Sequence, residues 1–479
     1  MSSHQCTVLR TKLTQLECHF TWDLRKEDTD LTDLLNRLQD QTELDLGGQE
    51  GAARTHSFLG FVKFLLDSNN EALSNFQRSV EVVKELHGNK CGQLLLVSYG
   101  NLAWLHYHMD NYVESESYLN KLEEIKEKYP PDSSSVLDAN LLGEKGWTFL
   151  KFYRKYYDRA EECFRKALEL EPEQGEWNSG LAIVLYRTET ESVSSTESPT
   201  IKQLRRAIET NPDDNVVKVL LALRLCFHKE YSEAESLVET ALERTSDHPH
   251  VIRYVAKYFQ QKGSVDRSTA LLRRALEKVP NSAFIHHQLA LCYKKTKIYL
   301  QRASSHHSKD AAIKQARKQC IYHLERATEL KPSFTLAMNE LALQYGENQD
   351  LSKAEEMFKL ARQTVEKRNE NLQMFHKFYA VFQQYSMKCE PLAIEHYTKC
   401  LKLNSKTYEG KESAKHLTKI AERRIRKNSQ DGDAFGILGL VHKEQGDRQR
   451  AQEYYEKALG YVHNDEYLSN LCELQLAVE

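Results

Sequence analysis

Cationic side chains recur at helical spacing in the segment HVIRYVAKYF, residues 250–259. Arg253 and Lys257 are four residues apart, and His250 lies about one turn before Arg253. Residues at this spacing share one face of an α-helix, where guanidinium and ammonium groups can form charge-assisted hydrogen bonds with phosphate oxygens. The same pattern also fits a solvated surface helix. The choice depends on the direction of this face, and therefore on the fold.

Six segments of the chain repeat one arrangement of small and large side chains. Each has a small residue, a large apolar residue four positions later and usually alanine three positions after that. The segments are AEECFRKALELEP (160–172), STALLRRALEKVP (268–280), IYHLERATELKP (321–332), AEEMFKLARQTVE (354–366), LAIEHYTKCLKL (392–403) and AQEYYEKALGYV (451–462). This arrangement is typical of the second helix of a tetratricopeptide unit, which repeats about every 34 residues.

The repeat predicts an all-α fold, a tetratricopeptide-repeat superhelix of about ten helix pairs with additional non-repeat helices. The second-helix marker position falls at Ala72, Ser115, Ala160, Leu204, Ala234, Ser268, His323, Ala354, Ala393 and Ala451. Insertions fall at 188–200, 295–319 and 404–430. We divide the chain into a helical cap with the first repeats (1–132), central repeats (138–332) and C-terminal repeats (333–479). Stacked helix pairs form a concave face, which is the usual place for a partner.

The repeat register points the cationic face of 250–259 into the concave groove. With Ala256 in the small position, Ile252, Val255 and Phe259 take the packing positions. The groove positions then fall on His250, Arg253, Lys257 and Gln260. The same register in neighbouring first helices turns further side chains inward, namely Trp147, Lys151, Glu176, Ile183, Arg187, His287 and Gln288. Such a mixture suits an anionic, planar partner, although a peptide groove can use the same residues.

Two further helices outside this register carry candidate residues. On the helix predicted near the N-terminus, Asp33, Arg37 and Gln41 follow one another at four-residue steps on one face. The predicted basic helix 411–427 aligns five like charges, at Lys411, Lys415, Lys419, Arg423 and Lys427. Each like-charged pair costs a few tenths of a kcal/mol unless an anion lies opposite. The alternatives are an anionic partner and a solvated helix.

Composition excludes several classes of function. The formal net charge of −3 argues against a protein coated in basic charge, and no apolar run is long enough for a signal peptide or a membrane helix. We therefore expect a cytoplasmic protein that does not act at a membrane. The 10 cysteines lack metal-site or disulfide spacing, so we expect no metal and no cofactor. No phosphate-binding loop, HExxH motif or nucleophile elbow occurs, and we expect no enzyme.

Several segments in order from end to end resemble one family. They are LECHFTWDLRKED (16–28), WLHYHMDNY, EKGWTFLKF, ALELEP, NPDDNVVKVLLALRL, VIRYVAKYF, HHQLALCYK and ILGLVHKEQGD. The chain resembles the interferon-induced proteins with tetratricopeptide repeats over essentially its whole length. The resemblance implies a basic central tunnel that binds the 5′ end of single-stranded RNA, as triphosphate or incompletely methylated cap, and thereby restrains viral translation.

Carried over residue by residue, the resemblance assigns roles within that tunnel. The residues implied to grip the 5′ phosphates and first nucleotides are Arg37, Gln41, Lys151, Arg187, Arg253, Tyr254, His287 and Gln288. Trp147 and Tyr157 would belong to the same wall, and Lys415, Lys419 and Arg423 would guide RNA at the tunnel mouth. His250 and Val216 stand where family members commonly have tyrosine. Asp45 replaces an apolar residue of cap-binding members, which favours triphosphate over capped RNA.

The sequence thus predicts an antiviral, innate-immune RNA-binding protein that sequesters viral single-stranded RNA by its 5′ end. The alternative is a tetratricopeptide scaffold for protein partners without direct RNA recognition. Other family members and the translation machinery are left open as protein partners. We expect no binding to DNA.

Overall fold

The computed structural model describes residues 3–43, 48–88, 91–128, 135–189, 198–245, 248–302 and 309–476. These residues form twenty-four α-helices and a few short 3-10 turns, and they contain no β-strand. The predicted all-α tetratricopeptide fold is confirmed. Among the described helices, none combines the length and the apolar character needed to cross a lipid bilayer.

The chain divides into an N-terminal unit, residues 1–313, and a C-terminal unit, residues 314–479. The division falls within α16. The helices up to this point are α1 Ser3–Leu13, α2 Leu31–Glu43, α3 Gly48–Leu65, α4 Asn69–His87, α5 Leu96–His108, α6 Tyr112–Lys128, α7 Ser135–Phe152, α8 Tyr157–Leu170, α9 Gly175–Thr188, α10 Pro199–Thr210, α11 Asn215–Phe227, α12 Tyr231–Arg244, α13 Pro249–Gln261, α14 Val265–Lys278, α15 Ala283–Arg302 and α16 Lys309–Leu330. The three segments predicted from the sequence stay a prediction.

The C-terminal unit continues from α16 with eight more helices. They are α17 Thr335–Glu347, α18 Leu351–Arg368, α19 Leu372–Tyr385, α20 Glu390–Leu403, α21 Tyr408–Lys427, α22 Gly432–Gln445, α23 Arg448–Leu459 and α24 Asp465–Leu476. The predicted basic helix 411–427 is α21, which begins three residues earlier because the Thr407 hydroxyl accepts a hydrogen bond from Gly410 N and caps it.

Successive helices pack in pairs within each unit. The pairs are α3 with α4, α5 with α6, α7 with α8, α9 with α10, α11 with α12 and α13 with α14 in the N-terminal unit, and α17 with α18, α19 with α20 and α22 with α23 in the C-terminal unit. All ten predicted second-helix marker residues are buried. The first helix of one pair also contacts the first helix of the next pair. For example, α7 contacts α9, and α11 contacts α13. This stacking brings side chains from several repeats to one surface.

Small residues allow the close approach of the helices that carry the site. Phe164 of α8 lies between Gly146 of α7 and Gly180 of α9. A Cβ atom on Gly180 would come within 2.4 Å of the Phe164 ring, and one on Gly146 within 3.0 Å. The register of α7 and α9 therefore depends on glycine at these positions.

The segment 16–22, LECHFTW, is tied to the repeats through one buried histidine. The His19 Nδ1 atom accepts a hydrogen bond from Asn101 Nδ2 over 2.9 Å, and Nε2 lies 3.2 Å from Thr148 Oγ1. Burial lowers the pKa of His19 to about 3, so the ring is neutral and can donate from Nε2 to Thr148. This residue of the motif thus positions α5 and α7 within the core.

Candidate functional site

A cavity of about 590 Å³ lies within the N-terminal unit. Its wall is formed by α2, α3, α7, α9, α11 with the turn before it, and α13. Ten of the residues predicted from the sequence line it, namely Arg37, Gln41, Trp147, Lys151, Glu176, Ile183, Arg187, His250, Arg253 and Tyr254. We call this space the cationic cavity. Its wall draws on helices from five repeats and on the non-repeat helix α2.

Lys151 extends from α7 beside Trp147. Its Nζ atom is 5.7 Å from the centre of the Trp147 ring, which is a cation–π arrangement. The Lys151 carbonyl oxygen accepts hydrogen bonds of 3.4 Å from both terminal nitrogens of Arg37, whose Nε atom pairs with Asp33 Oδ2 at 3.0 Å. Burial lowers the pKa of Lys151 to about 8, and the nearby Arg54 adds to this effect. The ammonium group is therefore held where its charge is unfavourable.

Arg187 extends from the end of α9. Its Nη1 atom donates hydrogen bonds of 3.2 Å to the Leu150 carbonyl oxygen and to the Tyr157 hydroxyl. Arg187 is exposed and is one of the residues that line the cavity. Tyr157 does not line the cavity but accepts the hydrogen bond from Arg187 that helps to position it.

Arg253 and Tyr254 extend from α13. Arg253 Nη2 donates to the Tyr254 hydroxyl over 3.3 Å, and the guanidinium carbon lies 5.3 Å from the centre of the Phe284 ring. Arg253 Nε is buried and has no hydrogen-bond partner among the described residues. Burial raises the pKa of Tyr254, but the neighbouring Arg253 and Arg187 outweigh it and lower the pKa to about 8.

Three of the cavity cations lack an acidic counterpart. Lys151, Arg187 and Arg253 have no carboxylate oxygen within 4.0 Å in the described part of the chain. The acids nearby are engaged elsewhere. Asp213 pairs with Arg244 at 2.7 Å, and Asp214 accepts hydrogen bonds from Val216 N and Val217 N at the start of α11. The arrangement can therefore bind a multiply charged anion, because its oxygens would supply the absent counter-charge.

His250 lines the cavity as a neutral side chain. Burial lowers its pKa well below the ordinary value, and Arg253, His248 and Lys151 lower it further. The sequence pattern grouped His250 with Arg253 and Lys257 as a cationic face. Because the neighbouring cations suppress its protonation, His250 adds hydrogen-bonding capacity without charge at neutral pH.

Comparisons with known proteins show where this fold occurs. The tetratricopeptide repeat family models match residues 51–128 and, separately, residues 150–174 and 432–461. The antiviral innate immune response effector IFIT1 of Homo sapiens is 36% identical over 458 residues, covering 94% of this chain and 95% of the relative. The chain belongs to the family of interferon-induced proteins with tetratricopeptide repeats.

Solved structures of this family superpose on the chain. A monomeric mutant of IFIT1 with Gppp-AAAA matches with a TM-score of 0.85 and 34% identity, covering 95% of this chain and 100% of that chain. The human IFIT1 dimer with PPP-AAAA matches with a TM-score of 0.82 at the same identity and coverage. The family predicted from the sequence is confirmed.

Some residues that the sequence singled out are not among those that line the cationic cavity. Lys257 Nζ lies 5.9 Å from the centre of the Tyr186 ring, outside the lining. His287 and Gln288 are buried on α15, and the Gln288 carbonyl oxygen accepts a hydrogen bond of 3.3 Å from Gln260. Asp45 lies outside the described residues. The roles of these residues, and of Tyr157, in ligand binding stay predictions.

The basic face of α21 belongs to the C-terminal unit. Lys415, Lys419 and Arg423 are exposed. Lys415 Nζ lies 2.7 Å from Glu412 Oε1, and Arg423 forms an ion pair with Glu390 of α20. Acidic residues of the same unit therefore offset part of this charge. A role for this face in guiding RNA stays a prediction.

Sequence reasoning missed Arg54, which lines the cavity from α3. The register that placed the other residues finds it. Gly60 is the small residue of α3, because a Cβ atom there would come within 2.7 Å of Phe76. Counting back six residues gives Arg54, which holds the same position in its helix as Glu176 and His250 hold in theirs. The repeat register therefore also applies to α3.

Proposed function

We propose that this family member binds the 5′-phosphorylated end of single-stranded RNA in the cationic cavity. The observation that carries the proposal is the convergence of Lys151, Arg187 and Arg253 on one space without carboxylate partners. Phosphate oxygens are strong acceptors for guanidinium and ammonium groups, and binding would supply the missing counter-charge. The solved structures of human IFIT1 with PPP-AAAA and of a monomeric IFIT1 mutant with Gppp-AAAA support this class of ligand.

In this proposal the wall has two parts with different tasks. Lys151, Arg187 and Arg253 pair with phosphate oxygens, whereas Trp147 and Tyr254 offer ring faces to the first bases. Ring stacking does not distinguish bases strongly, so recognition is independent of base sequence. Log affinity falls against log salt by roughly 0.7 for each phosphate neutralised on a single strand.

The biological consequence of this binding is sequestration. An RNA whose 5′ end is held in the cavity is withheld from the translation machinery, and no bond in the RNA is made or broken. We propose that the protein acts in this way on viral RNA in the cytoplasm, without catalysis. We further propose that a 5′-triphosphate is preferred over an incompletely methylated cap, because three uncompensated cations match its higher charge.

The test is filter binding of one short RNA that carries a 5′-triphosphate, a 5′-hydroxyl or a cap. We expect the order triphosphate, cap, hydroxyl, and we expect Arg253→Glu to abolish the difference between them. Arg165→Glu is the matched control, because Arg165 is exposed on α8 and pairs with Glu161 outside the cavity. Affinity that ignores the 5′ end, together with tight binding of an extended peptide, would support a protein scaffold instead.

A further inference from the structure

Two histidines meet in the C-terminal unit, outside the cationic cavity. His376 lies on α19 and His396 on α20, and these helices pack as a pair. Their Nδ1 atoms are 3.0 Å apart, and their ring centres are 5.0 Å apart with the ring planes at 60°. Spacing along the chain does not indicate this contact, because the histidines are 20 residues apart and meet only through the packing of α19 on α20. We call these two side chains the histidine pair.

Aromatic side chains hold the histidine pair in place. The Tyr379 ring centre is 4.7 Å from that of His396 and 5.8 Å from that of Phe375, on which it stacks. The Tyr379 hydroxyl donates a hydrogen bond of 3.5 Å to Glu355 of α18. Both histidine rings are only half-buried. Neighbouring helices therefore orient the pair, while water and a small ion can reach it.

The charges around the histidine pair are compensated. Burial lowers the pKa of each histidine, so both imidazoles are neutral at pH 7. The two cations that act on the pair are each held by a carboxylate. Lys399 Nζ is 2.6 Å from Glu395 Oε1, and Arg362 Nε is 2.8 Å from Glu366 Oε1. A further cation can therefore approach without facing an uncompensated positive charge from these side chains.

The distance between the two Nδ1 atoms suits two ligands of one metal ion. In the free protein one Nδ1 atom donates a hydrogen bond to the other, and both are possible metal ligands. Zinc–nitrogen bonds are about 2.0–2.1 Å long, so two nitrogens bound to one tetrahedral ion are about 3.3 Å apart. The pair meets this geometry if the rings separate by about 0.3 Å and turn both lone pairs toward the ion.

We propose that the histidine pair binds one divalent transition-metal ion of the zinc class through its two Nδ1 atoms, and that the ion ties α19 to α20. Neutral imidazole is a preferred ligand of Zn²⁺, Ni²⁺ and Cu²⁺. The ring that carried its proton on Nδ1 carries it on Nε2 instead. Water completes the coordination, because the described residues contain no set of three histidine, cysteine, aspartate or glutamate ligands.

This proposal departs from the expectation of no metal that was drawn from the sequence. It is independent of RNA binding, because the cationic cavity lies in the N-terminal unit and the histidine pair in the C-terminal unit. Two ligands fixed on one fold act as a chelate, since the second bond forms within the molecule. Loss of either imidazole should therefore cost most of the affinity.

The first experiment titrates the metal-free full chain with Zn²⁺ by calorimetry. The chain has 19 histidines, so the measured quantity is the difference between wild type and variant. We expect His376→Gln and His396→Gln each to lose one binding event, as the affinity of this site falls by roughly tenfold or more. His463→Gln is the matched control and should keep the event, because His463 is exposed and lies beside Asp465 on another part of the unit. Mg²⁺ prefers oxygen ligands and should give no such event.

Amide hydrogen exchange then locates the ion. Zn²⁺ should slow exchange at residues 372–403 in wild-type protein and in His463→Gln, and should leave exchange there unchanged in His376→Gln and His396→Gln. Thermal unfolding without metal checks that each variant is folded, and either variant alone suffices because each removes one ligand. If neither folds, the exchange of wild-type protein in Zn²⁺ is compared with that in excess chelator.

The outcomes separate this inference from the proposed function. Equal Zn²⁺ binding by wild type and a folded His376→Gln or His396→Gln would overturn the metal site, as would protection confined to segments other than 372–403. Loss of the preference for triphosphate RNA would overturn the proposed function and leave the metal site standing.

Discussion

The cationic cavity and the basic face of α21 carry similar numbers of positive side chains in different physical settings. In the cavity, Lys151 is confined among other cations, and burial lowers its pKa to about 8. On α21, Lys415 is exposed and a neighbouring carboxylate raises its pKa. The first setting leaves the charge unsatisfied, and the second satisfies it with water and acids. Charge that folding leaves unsatisfied is available to a ligand, and this distinction is invisible in a count of lysines and arginines.

The largest expected effect comes from removing one unsatisfied charge. We expect Lys151→Met to weaken triphosphate RNA binding by roughly ten- to a hundredfold, because a charge-assisted contact in a confined site is lost. The folded state disfavours the Lys151 charge, so the same substitution should leave thermal stability unchanged or raise it. Filter binding and thermal unfolding of one preparation measure both quantities. Lower stability with unchanged binding would mean that Lys151 is structural.

A second, intermediate effect is the pH dependence of binding. In the free protein Lys151 and Tyr254 both titrate near pH 8. Above this pH, Lys151 loses its positive charge and Tyr254 gains a negative one, so affinity for triphosphate RNA should fall by up to roughly tenfold between pH 7 and pH 9. The anion stabilises the charged lysine, so binding takes up protons in this range.

Two variants separate the contributions to this pH profile. Lys151→Arg keeps its charge throughout the range and should flatten most of the fall. Tyr254→Phe removes the ionisable hydroxyl group and should therefore abolish the rest of the fall in affinity. A fall that persists unchanged in both variants would contradict the assignment.

The sequence predicted the fold better than the electrostatics of the site, for physical reasons. Repeat register is local, since a small residue must stand wherever two helices approach closely, as at Gly146 against Phe164. The neutral state of His250 depends on burial and on cations from other helices, as does the pairing of Arg423 with Glu390, 33 residues away. Neither effect is readable from spacing along one helix.

Arg54 shows a second reason why a site residue could not be predicted from the sequence. In α3 the small position is a glycine, Gly60, and two alanines, Ala52 and Ala53, precede it, so the spacing of small residues does not by itself fix the register of this helix. The sequence-based reason for preferring triphosphate was Asp45, whereas the reason drawn from the structure is the three cavity cations without carboxylate partners. Measuring the ratio of triphosphate to capped RNA affinity in Asp45→Ala would show whether Asp45 contributes to the preference.

The smallest expected effect is that of removing an exposed charge on α21, and it tests directly whether exposed and buried cations differ in RNA binding. Lys419 has no ion-pair partner among the described residues, as Lys151 has none, but it is exposed to water. We expect Lys419→Glu to weaken RNA binding by no more than about twofold at physiological salt, and the difference should vanish at high salt because exposed charges are screened. A loss as large as that of Lys151→Met, persisting in high salt, would mean that α21 makes a desolvated contact with RNA. Exposure in the free protein would then be a poor guide to which cations act, and the contrast between the two regions would fail.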